Sequence, residues 1–202
     1  MRVKICGITR MEDALEAADL GAAAVGFIFF RESPRYIAPE DAARIIRNLP
    51  PFVTPVGVFV NETRDAVSRA IERSGVRSLQ FHGEESPEET TGYPLPVVKS
   101  FRVGDDFDPA AIARYALPAY LLDASVRGMY GGTGRTFDWR KAVEASRFGR
   151  IILGGGITPE NAAEAVRAVH PYAIDVSSGV EASPGIKDSR RMRALFESLR
   201  SL

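Results

Sequence analysis

The stretch IILGGGITPENAAEAVRAVHPYAIDVSSG, residues 151–179, decides the fold of this chain. Two short and mostly apolar runs, 151–153 and 173–176, enclose a segment whose apolar residues recur at helical spacing. Continuous apolar runs of this kind are typical of parallel strands that are covered on both faces. Glycine or serine follows each run. The stretch therefore predicts a strand, a glycine-rich turn, a helix and a second parallel strand.

The same alternation of short strands and helices extends over the rest of the chain. Helix starts are indicated by Thr9, Pro39, Thr63 and Pro159, because threonine is a favoured N-cap residue and proline is favoured in the first helical turn. No stretch rich in proline, glycine and serine is long enough to separate two domains. We therefore expect about eight strand–helix units in one domain, residues 1–202. The predicted strands are residues 3–6, 23–28, 54–60, 78–81, 97–101, 119–123, 151–153 and 173–176.

A run of about eight strand–helix units in one domain points to a closed α/β barrel, the (β/α)8 or TIM barrel. At roughly 25 residues per unit this barrel is compact, since about 250 residues are typical of the fold. The alternative is an open, doubly wound sheet, in which a G-x-G-x-x-G turn is expected after the first strand. Here the first strand is followed by GITR, residues 7–10. We therefore predict the single-domain barrel.

The charge balance and the cysteine content exclude several classes of protein. The chain has 26 lysines and arginines and 26 aspartates and glutamates, so no net charge attracts it to nucleic acid or a membrane surface. Cys6 is the single cysteine and cannot form an internal disulfide, which suits a reducing compartment. No apolar run approaches the roughly 20 residues of a membrane helix, and MRVKICGITR is too charged for a signal peptide. We expect a cytoplasmic protein with no nucleic-acid or membrane partner.

In this fold the active site lies at the C-terminal ends of the strands, and phosphate often binds after strands seven and eight. Glycine and serine cluster at these two strand ends. Glycines allow backbone N–H groups to approach an anion, and serine hydroxyls add further donors. The alternative is that both clusters only form tight turns. The candidate phosphate-binding residues are Gly154, Gly155, Gly156, Ser177, Ser178 and Gly179.

Two residues at other strand ends are candidates for proton transfer. Cys6 ends the first strand, and a free cysteine is either a small buried apolar residue or, at this end of the fold, a catalytic one. Asp123 ends the sixth strand, AYLLD, where a carboxylate either caps the next loop or takes part in chemistry. Both positions face the same end of the predicted barrel. We therefore treat them as candidate catalytic residues.

Further polar residues near the same end are candidates for substrate binding. Arg35 lies in FFRESPRY after the second strand, where it is either solvated or positioned to bind a carboxylate through its planar guanidinium group. His82 follows the fourth strand and is either structural or part of the site. The sequence contains no HExxH motif, no paired-carboxylate motif and no cysteine pair. We therefore expect no catalytic metal.

Lys4 lies two residues before Cys6 and hence on the same face of the first strand. If Cys6 faces the barrel interior, Lys4 also lies inside, one layer deeper. A buried ammonium without a partner is unfavourable, so we expect a carboxylate beside it. Asp175, on the strand that closes the barrel against the first strand, is the first candidate, and Asp123 is the second.

The motifs at the strand ends resemble those of the phosphoribosylanthranilate isomerase family. KICGIT and SSGVE-SPG-KD are specific to that family rather than to barrels in general. The resemblance covers essentially the whole chain, in order, through KICGIT, FFRESPRY, VGVFVN, LQFHGEE, LLDAS, GGTGRTFDW, LGGGITPENA and DVSSGVEASPGIKD. It implies a (β/α)8 barrel that catalyses an Amadori rearrangement in tryptophan biosynthesis. The implied reaction converts N-(5-phosphoribosyl)anthranilate to 1-(2-carboxyphenylamino)-1-deoxyribulose 5-phosphate.

The resemblance also implies a role for each candidate residue. Cys6 is then the general base, Asp123 the general acid and Arg35 the partner of the anthranilate carboxylate. His82 and Asp175 belong to the substrate-facing shell, and the glycines and serines after strands seven and eight bind phosphate. The implied chemistry needs a carboxyl group that holds its proton and a thiol that is partly ionised, but no cofactor. The expected partner is the small-molecule substrate, and the expected assembly is a monomer or a homodimer.

Three other functions stay open on the sequence alone. A Schiff-base aldolase on the same fold needs a lysine at a strand end, for which Lys99 and Lys4 are candidates. A metal-dependent phosphosugar epimerase needs several histidine and aspartate ligands, whereas this chain has two histidines, His82 and His170. A barrel that binds a phosphorylated ligand without converting it needs neither Cys6 nor an acid at the end of the sixth strand.

Overall fold

The computed structural model describes residues 1–124, 138–200 and 202, and this part of the chain forms a closed barrel of eight parallel strands. The strands follow one another around the barrel in sequence order, and β8 pairs with β1. Each predicted strand is present, with ends that agree to within two residues, so the predicted barrel is confirmed. The strands are β1 (Val3–Cys6), β2 (Ala24–Ile28), β3 (Thr54–Phe59), β4 (Ser78–Phe81), β5 (Val97–Val103), β6 (Ala119–Ala124), β7 (Ile151–Leu153) and β8 (Ala173–Val176).

Six α-helices of the described residues connect or follow these strands: α1 (Met11–Asp19), α2 (Pro39–Ile46), α3 (Arg64–Ser74), α4 (Trp139–Ala145), α5 (Ala162–Val169) and α6 (Ser189–Ser198). Pro39 is the first residue of α2, as predicted. Thr63 caps α3, because its hydroxyl oxygen accepts a hydrogen bond of 3.3 Å from the backbone N–H of Ala66. No helix in the described ranges is long and apolar enough to cross a bilayer. Ser125 and residues 131–137 of GGTGRTFDW lie outside the described residues.

The cap of one helix and the start of another differ from the prediction. The hydroxyl of Thr9 donates to the carbonyl oxygen of Gly185 and does not cap α1, which begins at Met11. Helix α5 begins at Ala162, three residues after Pro159, because residues 159–161 form a turn. The first of these differences ties the loop after β1 to the segment that follows β8.

The connections after β4 and β5 also differ from the prediction, because each holds a short 3-10 helix in place of an α-helix. These are Glu88–Thr90 and Pro109–Arg114. In their sequences, SPEETTGYPLP and DPAAIARYALP, the proline at the helix start is followed seven and nine residues later by a second proline, which lacks the backbone donor that a longer helix needs. The expected strand–helix unit is therefore complete in its strands but not in these two helices.

An antiparallel hairpin that the sequence did not predict follows β8. Its strands are β9 (Glu181–Ser183) and β10 (Ile186–Lys187). Gly185 turns the chain between them with a φ of +82°, in the left-handed region that favours glycine. The hairpin brings the side chains of its first and last residues to the C-terminal end of β1, where Lys187 Nζ donates to the carbonyl oxygen of Cys6 at 2.5 Å.

The side chains of β1 alternate between the outer core and the barrel interior. Val3 and Ile5 belong to the apolar cluster between the sheet and the helices. Lys4 and Cys6 point the opposite way, as the alternation of side chains along a strand requires. In the register of β1 with β8, Lys4 lies directly beside Asp175. The strand pairing thus fixes which charged residues meet inside the barrel.

Candidate active site

A cleft lies at the C-terminal ends of the strands. Polar groups from several strand ends line it beside apolar side chains such as Ile28, Val58 and Val60. This mixed lining suits a small molecule with a few polar anchor points. Ten of the eleven candidate residues line the cleft: Cys6, Arg35, His82, Asp123, Gly155, Gly156, Asp175, Ser177, Ser178 and Gly179.

Gly154 is the candidate that lies outside the cleft. Its N–H donates a hydrogen bond of 2.8 Å to the carbonyl oxygen of Leu122, which continues the pairing of β7 with β6. A Cβ added to Gly154 would lie 3.3 Å from the same oxygen, so the residue packs closely against β6. Since its donor is already used, we correct the phosphate-binding set by leaving Gly154 out.

Two glycines after β7 and β8 leave no room for a side chain. Gly155 has a φ of +74°, and a Cβ there would lie 2.2 Å from the backbone nitrogen of Ala124. A Cβ on Gly179 would lie 2.0 Å from the carbonyl oxygen of Ile157. The ends of three neighbouring strands therefore meet backbone to backbone. Beside them, Ser177 Oγ is buried and has no hydrogen-bond partner among the described residues, so it is free to contact an anion.

Cys6 lies in the cleft with 5% of its surface exposed. Burial raises the pKa of its thiol, and the ammonium groups of Lys4 and Lys187 partly oppose that rise. The Asp175 carboxylate adds to the rise. At neutral pH the free protein therefore holds mainly the thiol, with the thiolate as a minor form.

Lys4 meets the carboxylate that strand parity predicted. Its Nζ donates to Oδ1 of Asp175 at 2.7 Å, and both side chains are buried. Burial alone would lower the pKa of the Lys4 ammonium, but Asp175 and Cys6 together outweigh burial and raise it. The first of the two predicted partners is confirmed, and Lys4 keeps its positive charge inside the barrel.

Asp123 lies three strands around the barrel from Cys6 and is contacted by His82. Nε2 of His82 lies 3.3 Å from Oδ2 of Asp123, while Oδ1 accepts a hydrogen bond of 2.9 Å from the backbone N–H of Ala124. Nδ1 of His82 lies 3.1 Å from Nε2 of Gln80. Nε2 faces Asp123 and makes no hydrogen bond among the described residues. The contact with Gln80 thus orients the histidine toward the candidate acid.

Arg35 is held by an ion pair and is not a solvated loop residue. Its Nε and Nη2 donate to the carboxylate of Glu181 at 2.9 and 2.7 Å, and Lys187 Nζ donates to the same carboxylate at 2.7 Å. Burial alone would raise the pKa of Glu181, but the hydrogen bonds from Arg35 and Lys187 lower it. The bonds to Glu181 use Nε and Nη2, so Nη1 is the group through which Arg35 can meet a ligand in the cleft.

Sequence reasoning assigned no role to Glu181, Lys187 or Gln80. The first two lie in SSGVEASPGIKD, a stretch that carried the family resemblance, but their mutual contact depends on the unpredicted hairpin. Gln80 could have been found from the alternation of side chains along a strand. It lies two residues before His82, so the two side chains point to the same face.

The two lysines that an aldolase would use are both engaged in other contacts. Lys99 is not part of the cleft lining; its Nζ donates to the carbonyl oxygens of Gly83 and Ser100 at 2.8 and 2.9 Å and lies 3.2 Å from Glu85. Lys4 is paired with a carboxylate as described above. Among the described residues, no three or more His, Cys, Asp or Glu side chains are grouped so that they could hold a metal ion.

Comparison with known proteins identifies the family. The family described as N-(5'-phosphoribosyl)anthranilate (PRA) isomerase matches residues 3–198. The N-(5'-phosphoribosyl)anthranilate isomerase of Citrifermentans bemidjiense is 53% identical over 201 residues, which cover 100% of this chain and 98% of that relative.

Solved structures agree with the sequence comparison. The phosphoribosyl anthranilate isomerase of Thermus thermophilus is 45% identical and superposes with a TM-score of 0.92, over 100% of this chain and 99% of that chain. Another solved phosphoribosyl anthranilate isomerase, 40% identical with a TM-score of 0.89 and 100% of both chains covered, is in complex with reduced 1-(o-carboxyphenylamino)-1-deoxyribulose 5-phosphate. Since the match extends over nearly the full length in both sequence and fold, the chain belongs to the N-(5'-phosphoribosyl)anthranilate isomerase family.

Proposed function

We propose that Cys6 and Asp123 carry out the two proton transfers of the isomerisation that gives this family its name. As a member of the family, the chain is an isomerase of tryptophan biosynthesis. The observation that carries the proposal is the order of groups around the cleft. Asp123 on β6 and Cys6 on β1 are separated by β7 and β8, whose glycine and serine loops suit a phosphate. Arg35 follows β2, on the far side of Cys6.

The reaction then proceeds by acid catalysis followed by base catalysis. Asp123 donates a proton to the furanose ring oxygen, and the bond between that oxygen and C1′ breaks to give an iminium ion at the anthranilate nitrogen. The Cys6 thiolate removes the proton from C2′, and the electron pair moves into the C1′–C2′ bond. The resulting enolamine gains a proton at C1′ and loses the proton of its C2′ hydroxyl, which leaves the ketone at C2′. No electrons are gained or lost overall, so the reaction needs no redox partner.

The substrate is held at both ends. The phosphate is proposed to lie against the loops after β7 and β8, and the anthranilate carboxylate against Nη1 of Arg35. His82 and Asp175 face the sugar between them, where Oδ2 of Asp175 is not used by the ion pair with Lys4. The phosphate-binding set is Gly155, Gly156, Ser177, Ser178 and Gly179.

The proposal also covers the partners, the assembly and the location of the protein. The only partner class is the small-molecule substrate, the assembly is a monomer or a homodimer, and the location is the cytoplasm. The equal numbers of acidic and basic residues, 26 each, support the absence of a nucleic-acid partner. Sedimentation velocity separates the two assemblies.

The experiment is the loss of substrate fluorescence on turnover, measured for Cys6→Ser and Asp123→Asn. We expect each variant to lose roughly 10²–10⁴-fold in kcat, which is the usual contribution of a positioned acid or base. KM should change less, because neither group holds the phosphate or the carboxylate. Serine nearly matches the shape of cysteine but supplies essentially no anion at neutral pH, so a loss in Cys6→Ser measures the base and not the packing.

Asp19→Asn is the matched control for the aspartate variant, because Asp19 is exposed at the end of α1, away from the cleft. It should keep the kcat of the parent. A Cys6→Ser variant that turns over substrate at the parent rate contradicts the assignment of the base, and an unaltered Asp123→Asn variant contradicts that of the acid.

A further inference from the structure

The interior of the barrel places an ammonium group beside the candidate base. Lys4 and Cys6 share one face of β1, and Nζ of Lys4 is fixed by its 2.7 Å bond to Asp175. Neither Lys4 nor its bond to Asp175 lies on the surface, since the two side chains are 8% and 11% exposed. Burying an ammonium group costs free energy, so Lys4 is expected to have a partner or a function that offsets this cost.

Gly26 of β2 shows how close the ammonium and the thiol are. A Cβ built on Gly26 would lie 2.8 Å from Sγ of Cys6 and 3.1 Å from both Cε and Nζ of Lys4. The sulfur and the nitrogen therefore both lie close to the point where a side chain of residue 26 would begin. A side chain there would collide with both groups, which explains glycine at this position.

We propose that Lys4 is the counter-ion of the Cys6 thiolate, held at the sulfur by Asp175, and thus a positioning residue for the base. This inference rests on the proposed function of Cys6 in proton abstraction. The ammonium interacts more favourably with a sulfur anion than with a neutral thiol, so it increases the population of the base. Lys4 contacts the base and not the reacting atoms of the substrate.

Other charged groups face the thiol from every neighbouring element. Lys187 contacts the backbone carbonyl of Cys6, and Asp175 approaches from β8. Arg35, His82 and Asp123 also line the cleft. The thiol therefore titrates in the presence of these groups as well. Of the two ammonium groups that lower the pKa of the thiol, Lys4 lowers it more.

The direct test is the titration of the thiol in the free protein, which requires no substrate. Because the chain has a single cysteine, the pH dependence of its alkylation by iodoacetamide, followed by mass spectrometry, reports on Cys6 alone. An opposite charge within about 4–6 Å shifts a pKa by about 1–3 units. For Lys4→Met we therefore expect thiol titration to move upward and alkylation at neutral pH to slow by at least about tenfold.

A double variant separates the counter-ion from a merely structural partner of Asp175. Lys4→Met leaves a buried carboxylate next to the thiol, whereas Lys4→Met combined with Asp175→Asn removes both charges together. If Lys4 acts on the thiol, the double variant alkylates faster than Lys4→Met but still more slowly than Asp175→Asn alone, which keeps Lys4 and lacks only the carboxylate. Lys141→Met is the control, because Lys141 bonds to the carbonyl oxygens of Gly104 and Asp105, outside the cleft lining.

Two results overturn the proposal. One is a Lys4→Met protein whose thiol titrates as in the parent, and the other is a double variant whose thiol titrates as in Asp175→Asn alone. Should Lys4→Met fail to fold, the comparison of the double variant with Asp175→Asn decides, because those two proteins differ only in Lys4. The thiol titration does not depend on turnover, so failure here leaves the kinetic test of Cys6→Ser untouched.

Discussion

The Glu181 carboxylate connects two cations of the site, and its replacement by glutamine is a direct test of that arrangement. The Glu181 carboxylate accepts hydrogen bonds from Nε and Nη2 of Arg35 and from Nζ of Lys187, and its side chain is 4% exposed. Glutamine keeps the shape but has one acceptor oxygen, no charge and an NH₂ group. That NH₂ group must face either the guanidinium or the ammonium, both of which are donors.

The size of the effect follows from burial. Lys187 has a fully buried side chain, and removing one partner of a buried ion pair costs about 3–5 kcal/mol because a charge is left without compensation. A domain of about 150–250 residues shifts in Tm by about 2–4 °C per kcal/mol, so Glu181→Gln should unfold on the order of 10 °C below the parent. The KM for the substrate should also rise, because Arg35 loses the carboxylate that orients it.

Thermal unfolding followed by circular dichroism measures this difference. Glu160→Gln is the matched control, because Glu160 pairs with Arg191 at the surface with 68% of its side chain exposed, and exposed pairs contribute about 0–1 kcal/mol. If Glu181→Gln unfolds within the small shift of the Glu160→Gln control, the ion pair does not hold Arg35 and the reasoning is wrong.

The dependence of stability on pH provides a second test with the same variant. The folded-state pKa of Glu181 is lowered relative to an unfolded value near about 4.3, so its stabilising contribution is present above that value. The contribution is lost as the pH falls through the lower folded-state pKa. The difference in stability between the parent and Glu181→Gln should therefore be constant near neutral pH and shrink in acid.

Three further predictions concern the ligand and the base. Ser178→Asp should sharply weaken binding of a phosphorylated product analogue in calorimetry while the Tm stays close to that of the parent, because two negative charges in one site repel; unchanged affinity moves the phosphate elsewhere. Arg35→Lys should raise KM with a modest loss of kcat, since an ammonium lacks the planar fork of a guanidinium; equal KM values leave Arg35 without a role in binding. Because burial raises the pKa of the Cys6 thiol, kcat/KM of the parent should increase from about pH 7 to above about pH 8.5; a flat profile there indicates another base.

The choice of Ser178 for the phosphate experiment comes from the structure. Sequence reasoning makes Gly155 an equally good position for an aspartate. The positive φ of Gly155 and the closeness of Ala124 show that any side chain there disturbs the backbone of β6 as well as the site. A loss of binding in such a variant would not distinguish charge from misfolding.

The strands and the partner of Lys4 were predictable because both follow from local rules. Continuous apolar runs located all eight strands of the described barrel to within two residues. The period of two along a strand then placed Lys4 with Cys6, and barrel closure placed Asp175 beside them. Each of these steps uses backbone geometry that does not depend on how individual side chains pack.

The contacts of Arg35 and the position of Gly154 were not predictable in the same way. Glu181 reaches Arg35 across 146 residues of sequence, and only the turn at Gly185 brings Lys187 back to the same carboxylate. Gly154 is one residue from Gly155, yet strand pairing uses the N–H of the former. One residue of register decides whether a glycine extends a strand or lines a cleft, and composition does not carry that information.

The segment 177–187 links the parts of the site that address different ends of the substrate. Its first residues supply the loop proposed for the phosphate, Glu181 fixes Arg35 for the carboxylate, and Lys187 bonds to the backbone of Cys6. Lys187 is buried and has its pKa lowered by that burial, so its ammonium depends on Glu181 for compensation. The residues proposed to bind the phosphate, the arginine proposed to bind the carboxylate and the proposed base therefore all belong to or contact one short piece of chain, which makes the hairpin after β8 part of the proposed site and not merely the end of the barrel.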